Sequence, residues 1–281
     1  MVRAVALLGL AACAPAEAPD PSWLEELQVV GVVLEPPSLG RVSSVQVDVT
    51  AADPRARGAE VLVWSCTDFG IGCFEQTDPT GKPRPVSQWA RTTTLVGDAA
   101  TVSLPVPVFP ESLLEEPDTV DLVGLVWALA CAPGVCDLIR SVQEDPEPGT
   151  EAWDDVARQL GHPDEWMVGL QTGWASLAVK AVPVGSDNVN PAILTDVEAL
   201  VAAPGESASL RVEFQDDGDV GHANVAAWST LGPVGVTQGP RGATITWEAP
   251  VDVVGSGRLY VVVSDGRGGQ AVFAGDVTVD R

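Results

Sequence analysis

The sequence predicts an all-β protein built of two β-sandwiches in tandem. Three observations indicate this class: short segments in which apolar and polar residues alternate, 28 glycines and 23 prolines that separate such segments, and the recurrence of the pattern along most of the chain. Alternation with a period of two is typical of strands with one buried face. Short strands divided by glycine and proline fit a sandwich, and 281 residues are enough for two such domains.

The first predicted sandwich covers residues 25–184. Residues 44–49 alternate strictly between polar residues and valine, which predicts a strand with one face toward solvent. Two further strand-like segments within 92–104 flank Gly97 and Asp98, a pair that favours a hairpin turn. Four tryptophans fall in predicted strands of the two domains and are expected in their cores: Trp64, Trp127, Trp228 and Trp247.

One segment of the first domain, residues 144–165, breaks the strand pattern and predicts a short helical insertion. Thr150 stands at an N-cap position, and apolar residues follow it at helical spacing. Trp153 and Trp166 flank this insertion. Their rings could stack on a sugar and form a ligand platform, but docking of the helix onto the sandwich is the favoured interpretation.

The second predicted sandwich covers residues 185–281, and residues 185–188, Gly-Ser-Asp-Asn, form the link to it. Its most specific piece is 261–269, Val-Val-Val-Ser-Asp-Gly-Arg-Gly-Gly, a strand that enters a glycine-rich turn. Together with residues 216–219 and Trp247, this piece resembles immunoglobulin-like or cadherin-like modules of secreted bacterial proteins. The resemblance implies an immunoglobulin-like sandwich here and, more loosely, in the first domain.

The first residues have the organisation of an export signal. A single basic residue, Arg3, precedes an apolar run over 4–10. The run is followed by small residues and a cysteine. Residues 10–13, Leu-Ala-Ala-Cys, resemble the lipobox of bacterial lipoproteins, in which the cysteine is lipidated. This resemblance implies a signal peptide over 1–12 and a lipid-anchored tether over 13–24.

The same resemblance implies a location in the cell envelope. Ala14, not aspartate, follows Cys13, and in the sorting pattern of Gram-negative lipoproteins this favours the outer membrane. With its tandem sandwiches, the chain is similar to two-domain lipoproteins of predatory or soil Gram-negative bacteria. We expect membrane contact only through the N-terminal lipid, because a formal net charge of −24 repels anionic headgroups as well as nucleic acid.

Four cysteines remain beside Cys13, and they are Cys66, Cys73, Cys131 and Cys136. An even number of cysteines in an exported protein indicates disulfides. Three connectivities are open, and the local pairs Cys66–Cys73 and Cys131–Cys136 are favoured because each pair brackets a turn with glycine. Zinc is the alternative, although neither pair has the close CxxC spacing of zinc sites.

Three carboxylates follow a predicted strand of the second domain and are the metal candidates. Asp216, Asp217 and Asp219 lie in a glycine-containing loop, and hard carboxylate oxygens of this kind suit calcium. Asp187 in the link could join them, which would stiffen the domain junction with a calcium ion. The spacing differs from that of an EF-hand loop, and an Asp-Asp-Gly-Asp segment is more often a plain turn.

The sequence predicts a protein without catalysis that binds, adheres or spaces something outside the cytoplasm. His162 and His222 are its only histidines, and neither stands at a metal-ligand spacing or in a hydrolase motif. Two alternatives stay open, an adhesion module stiffened by calcium and an accessory factor in carbohydrate processing. The partner, a protein or a polysaccharide, is not defined by any motif.

Overall fold

The computed structural model describes residues 22–66, 90–106, 108, 123–137, 175–195, 199–216, 223–239 and 242–281. These residues form fifteen strands and one helical turn at 135–137. The strands are β1 (Gln28–Glu35), β2 (Ser44–Ala52), β3 (Glu60–Cys66), β4 (Ala90–Thr94), β5 (Ala99–Pro105), β6 (Val123–Cys131), β7 (Ala175–Pro183), β8 (Ala192–Ile193), β9 (Leu200–Ala202), β10 (Ser207–Gln215), β11 (Asn224–Ser229), β12 (Val234–Gly239), β13 (Gly242–Glu248), β14 (Gly255–Ser264) and β15 (Gln270–Val279). The predicted helical insertion over 144–165 lies outside the described residues.

The strands form four sheets, which pair into two β-sandwiches. In the first sandwich, the sheet β1-β2-β5 packs on the sheet β4-β3-β6-β7. In the second, β12-β13-β10-β8 packs on β11-β14-β15-β9. Every ladder between described strands is antiparallel except that of β9 with β15. The prediction of two tandem immunoglobulin-like sandwiches is therefore confirmed.

Each sandwich encloses its own apolar core, and the alternation along each strand decides which side chains enter it. In β2 the side chains of Val45, Val47 and Val49 are at most 1% exposed, whereas Ser44 and Gln46 face solvent. Burying one such valine contributes about 1.5–3 kcal/mol to the free energy of folding. A slip of one residue would turn all three valines to solvent, so the register of β2 is strongly specified.

The strand tryptophans divide between core and partly covered positions. Trp64 in β3 and Trp247 in β13 are 2% and 0% exposed, as expected for core residues. Trp127 and Trp228 are half-buried. Trp64 and Trp127 stand opposite each other in the β3–β6 ladder, and their rings stack with centroids 5.8 Å apart.

The turn at Gly97 and Asp98 joins the two sheets of the first sandwich, so the predicted hairpin is wrong beyond the turn itself. Gly97 has φ of 64°, and Val96 and Ala99 form an isolated antiparallel bridge across the turn. Beyond this bridge the strands separate, because β4 pairs with β3 and β5 pairs with β2. A local signal reverses the chain, but strand partners depend on which core buries each apolar face.

No helix in the described part of the chain has the length and apolar character needed to cross a bilayer.

We predict that truncation of one buried leucine of β1 destabilises the first sandwich strongly. Leu34 is 0% exposed, whereas Leu194 is 60% exposed and serves as the matched control. Leu34→Ala should lower the free energy of unfolding by about 2–5 kcal/mol, because it leaves a cavity in a packed core. Leu194→Ala should change it by less than about 0.5 kcal/mol. Urea denaturation followed by tryptophan fluorescence measures both, and equal effects would contradict the described core.

Candidate functional site at the junction of the sandwiches

Strand β1 lies at the edge of its sheet, and side chains from both sandwiches satisfy its outward backbone groups. Val32 N donates to Gln270 Oε1 at 2.9 Å, and Val32 O accepts from Lys180 Nζ at 2.7 Å. Leu34 O accepts from Asn190 Nδ2 at 2.6 Å. Unpaired backbone groups that leave water cost free energy, so each of these bonds matters for closing the junction. Gln270 belongs to β15, which ties the second sandwich directly to β1.

The link between the sandwiches is held by a buried carboxylate in the β14–β15 turn. Asp265 is 0% exposed, and its Oδ1 accepts from the backbone N–H groups of Arg267 at 2.7 Å and Gly269 at 2.9 Å. Its Oδ2 accepts from Asn188 Nδ2 at 2.7 Å. Gln270 N then donates to Asn190 Oδ1 at 2.9 Å. Asp265 therefore holds the link at Asn188, and Gln270 holds the chain just after the link at Asn190.

Two glycines allow the backbones of the two sandwiches to approach closely. A Cβ at Gly31 of β1 would overlap Cγ2 of Val272 in β15. A Cβ at Gly268 would overlap the ring of Pro183 at the end of β7, and Gly268 also has φ of 96°. In each case the glycine and the overlapped atoms belong to different sandwiches. A larger residue at either position would therefore push the sandwiches apart.

A second contact region joins the Gly97-Asp98 turn to β14. Arg258 Nε donates to Asp98 Oδ2 at 2.6 Å, and Arg258 Nη1 donates to Asp276 Oδ1 at 2.5 Å. Next to this ion pair, Tyr260 is 1% exposed and packs in a small apolar cluster with Val30 of β1. Burial raises the pKa of the Tyr260 phenol, and the Asp98 carboxylate raises it further. The phenol therefore stays neutral across the physiological range.

The segment that precedes β1 docks on the second sandwich before the chain enters the first. Leu24 N donates to Ser229 O at 2.7 Å, and Ser229 N donates to Ser22 O at 2.9 Å. Val234 N donates to Ser22 Oγ at 2.8 Å. Trp23 thereby forms a parallel bridge with Ser229 at the end of β11. The chain thus crosses the junction twice, once before β1 and once in the link.

A cleft of about 360 Å³ opens beside these contacts, between β1, β7 and the β14–β15 turn. Its walls are backbone and small apolar side chains, with three polar side chains among them. The residues lining it are Val29, Val30, Gly31, Val32, Ala178, Val179, Lys180, Ala181, Ser264, Gly266, Gly268, Gly269 and Gln270. Lys180 is the one titratable side chain among these lining residues, and none of them is aromatic.

Lys180 has an unusual protonation equilibrium for a lysine. Burial lowers the pKa of its amine from 10.5 to about 8, and the charge of Asp265 opposes this effect without cancelling it. Desolvation disfavours the charged form of an amine, which explains the direction. The one hydrogen bond described for Nζ goes to Val32 O. Two N–H groups of the ammonium, or one N–H and the lone pair of the neutral amine, are thus left for a ligand in the cleft.

The carboxylates predicted to bind calcium contact guanidinium groups where the structure describes them. Asp216 accepts from Arg267 Nη2 at 3.4 Å, and Asp187 lies 3.8 Å from Arg41 Nε with its side chain 90% exposed. Asp217 and Asp219 lie outside the described residues. Within the described ranges, no three potential metal-ligating side chains come together. The calcium site therefore stays a prediction.

One of the two predicted disulfides lies within the described residues. Cys131 ends β6 and is bonded to Cys136 in the helical turn, with their Cα atoms 5.5 Å apart. This pairing excludes the crossed connectivities and a zinc site that uses these two thiols. The Cys66–Cys73 pair stays a prediction, because Cys73 lies outside the described residues. Lipidation of Cys13 and the ligand platform of Trp153 and Trp166 also stay predictions, because these residues lie outside the described ranges. His162 and His222 lie outside them as well.

The residues that build the junction were not singled out as functional by the sequence. A signal existed for two of them: Lys180 is one of two lysines in the chain and stands in an apolar stretch, and Asp265 lies in the Asp-Gly-Arg-Gly-Gly turn. Nothing local distinguishes Gln270 or Asn190 from solvent-facing polar residues. Their roles depend on partners more than 150 residues away along the chain.

No family model matches the chain, and no curated protein matches it. Among solved structures, the two tandem V-type regions of VCBP3, a v-region-containing chitin binding protein, are 11% identical, with 90% of this chain and 98% of that chain covered and a TM-score of 0.33. An immunoglobulin tandem of titin is 10% identical over 86% and 90%, with a TM-score of 0.26.

Domains 4 and 5 of the S-layer protein SbsC are 22% identical, with 38% of this chain and 65% of that chain covered and a TM-score of 0.27. This chain therefore spans about two thirds of the S-layer segment. At these identities and TM-scores, the likeness carries no argument about what the chain binds or does.

We predict that Asp265→Asn destabilises the junction. The substitution keeps the shape of the side chain, but it turns an amide toward a donor and removes the charge that three N–H groups contact. A buried donor left unsatisfied should lower the free energy of unfolding by about 2–3 kcal/mol. Asp252→Asn, which removes the same charge from an exposed position, is the control and should be close to neutral. Urea denaturation compares the two, and equal effects would contradict the role of Asp265.

We predict that rising pH stabilises the wild-type chain relative to Lys180→Arg. The unfolded chain keeps the Lys180 proton up to a pKa near 10.5, while the folded chain releases it near 8, so the unfolded state binds more protons between these values. The difference in free energy of unfolding should shift by about 2–2.5 kcal/mol in favour of the wild type between pH 7.5 and 10. Tyr260 titrates alike in both proteins. A difference that stays constant over this range would contradict the lowered pKa.

Proposed function

We propose that the chain is a non-catalytic binding and spacer module in which two immunoglobulin-like sandwiches are held as one rigid body. The observation that carries this proposal is the interlocked junction, in which Gln270, Asn190 and Asp265 connect the second sandwich and the link to β1 and to each other. A spacer must keep its ends at a constant distance. Several buried polar groups of the junction are hydrogen-bonded across it, although Asn188 Oδ1 has no described partner. These bonds favour a single arrangement, because another arrangement would leave the bonded groups unpaired.

The composition of the link alone would favour a flexible connection between the sandwiches. Residues 185–188, Gly-Ser-Asp-Asn, are typical of a flexible connection. Asn188 is nevertheless only 8% exposed and bonds to the Asp265 carboxylate. The loops at the outer ends of the sandwiches are then free to carry recognition, since such loops vary without disturbing the cores. We assign the binding of a partner to those loops.

We further propose that a lipid on Cys13 holds the module at the outer membrane. Residues 14–21 separate Cys13 from Ser22, which contacts Ser229 and Val234 of the second sandwich. Eight residues reach at most about 28 Å when fully extended. A lipid anchor would therefore keep the junction close to the bilayer, and the outer ends of the sandwiches would extend from that point.

We predict that the two sandwiches tumble together, and that Asn190→Ala combined with Gln270→Ala separates them. The double variant removes the bonds to Leu34 O, Val32 N and Gln270 N. Nitrogen-15 relaxation on the full chain should yield one rotational correlation time for the wild type and two shorter ones for the variant. Gln46→Ala combined with Asn224→Ala removes the same side-chain types from exposed positions and should behave like the wild type.

Two outcomes contradict this proposal. Independent tumbling of the sandwiches in the wild type would show that the junction is a hinge. Loss of common tumbling on addition of a chelator, with recovery on addition of calcium, would show that calcium rather than the bonds of Gln270 and Asn190 stiffens the junction.

We predict that Cys13→Ser abolishes incorporation of labelled palmitate and releases the protein from the membrane fraction, because the serine cannot form the thioether to the lipid. Cys131→Ser is the matched control, since it removes a thiol that is bonded to Cys136 and should leave lipid incorporation unchanged. Fractionation of the native envelope with lipid labelling measures both. Membrane retention of an unprocessed Cys13→Ser chain would contradict the lipid anchor. The rigid module is tested separately, by the relaxation measurements.

A further inference from the structure

The cleft at the junction contains an amine whose surroundings suit one class of ligand. Lys180 Nζ lies in a cleft of about 360 Å³, a volume that suits a small organic molecule. Its one described hydrogen bond goes to Val32 O, which fixes the amine at the wall formed by β1. The side chains that line the cleft with it are apolar at Val29 and Ala178 and polar at Ser264 and Gln270. The amine therefore faces a space with both apolar and polar walls, in which a ligand can be held next to it.

The charges around the cleft argue against an anion as the ligand. Lys180 is the sole cation among the lining residues, and the negative charge of Asp265 acts on it directly. The whole chain carries a formal net charge of −24. An anion would meet this field with a single, partly neutral amine as its partner, which is unfavourable. A neutral ligand meets no such penalty.

We propose that this cleft captures a small neutral aldehyde or ketone, which Lys180 binds covalently as an imine. The lone pair of neutral Nζ attacks the carbonyl carbon, and the C=O bond becomes a C–O single bond. The amine transfers one proton to that oxygen, which yields a carbinolamine. The hydroxyl group takes up a proton from solvent and leaves as one water molecule, while the nitrogen lone pair forms the C=N bond. The product is a protonated imine, whose remaining N–H can still donate to Val32 O. No oxidant or reductant takes part, and hydrolysis reverses the step.

The protonation equilibrium of Lys180 supports this assignment. Since burial lowers its pKa to about 8, about one in ten Lys180 amines is neutral at pH 7, compared with fewer than about one in a thousand for an ordinary lysine. Desolvation of a lysine amine by burial activates it as a nucleophile in this way. The proposal goes beyond the spacer function and does not depend on it.

The chain allows an internal comparison, because its only lysines are Lys82 and Lys180. The full chain is treated at pH 7 with benzaldehyde over a range of concentrations, and sodium cyanoborohydride reduces any imine to a stable secondary amine. Peptide mass spectrometry then measures benzylation at each lysine separately. We expect Lys180 to react more than about tenfold faster than Lys82, with a rate that saturates as the benzaldehyde concentration rises.

Two variants make the outcome unambiguous. Lys82→Arg leaves Lys180 as the sole lysine and should keep the fast, saturable reaction. Lys180→Arg should lose it, while its far-ultraviolet circular dichroism shows whether the chain still folds. Equal rates at the two lysines, no reaction at Lys180, or a rate at Lys180 that rises linearly without saturation would each overturn the proposal. Protection of Lys180 by acetate but not by a second neutral aldehyde would overturn it in favour of an anion site.

Discussion

The outward edge of β1 is the constraint on which the rest of the structure depends. An edge strand presents unpaired N–H and C=O groups, and these invite pairing with other chains unless they are covered. Here Ser176 and Lys180 of β7 cover part of the edge, and Gln270 and Asn190 cover the rest. The first sandwich therefore obtains a protected edge only when the second sandwich is in place. Protection of an edge and assembly of the domains are the same physical event.

The junction combines polar bonds with close backbone approach, and each depends on the other. Gly31 lets β15 come near enough for Gln270 to reach Val32 N, and the buried carboxylate of Asp265 holds the turn that carries Gly268. Burying a carboxylate is costly unless fixed donors surround it. Because those donors belong to the turn and to the link, the arrangement is specific, which is what a spacer requires.

The cleft follows from the same geometry. The β14–β15 turn covers β1 and β7 but does not fill the space between them, and Lys180 stays at its wall because it bonds to Val32 O. Lys180 thus contributes to the closed edge and retains donors for a ligand. Its lowered pKa arises from burial, and the nearby charge of Asp265 only moderates it. A residue that is structurally necessary can in this way acquire chemical reactivity.

The sequence by itself determined the strands and the two sandwiches, because these depend on periodicity along each segment. It favoured the local pairing of Cys131 with Cys136, which the structure then selected among the open connectivities. The tertiary structure alone decided that β4 and β5 enter different sheets and that Lys180 and Gln270 meet at Val32. Those partners are 148 and 238 residues from Val32 along the chain. No local pattern specifies such pairs, since a polar residue that caps a distant strand looks the same in sequence as one that faces solvent.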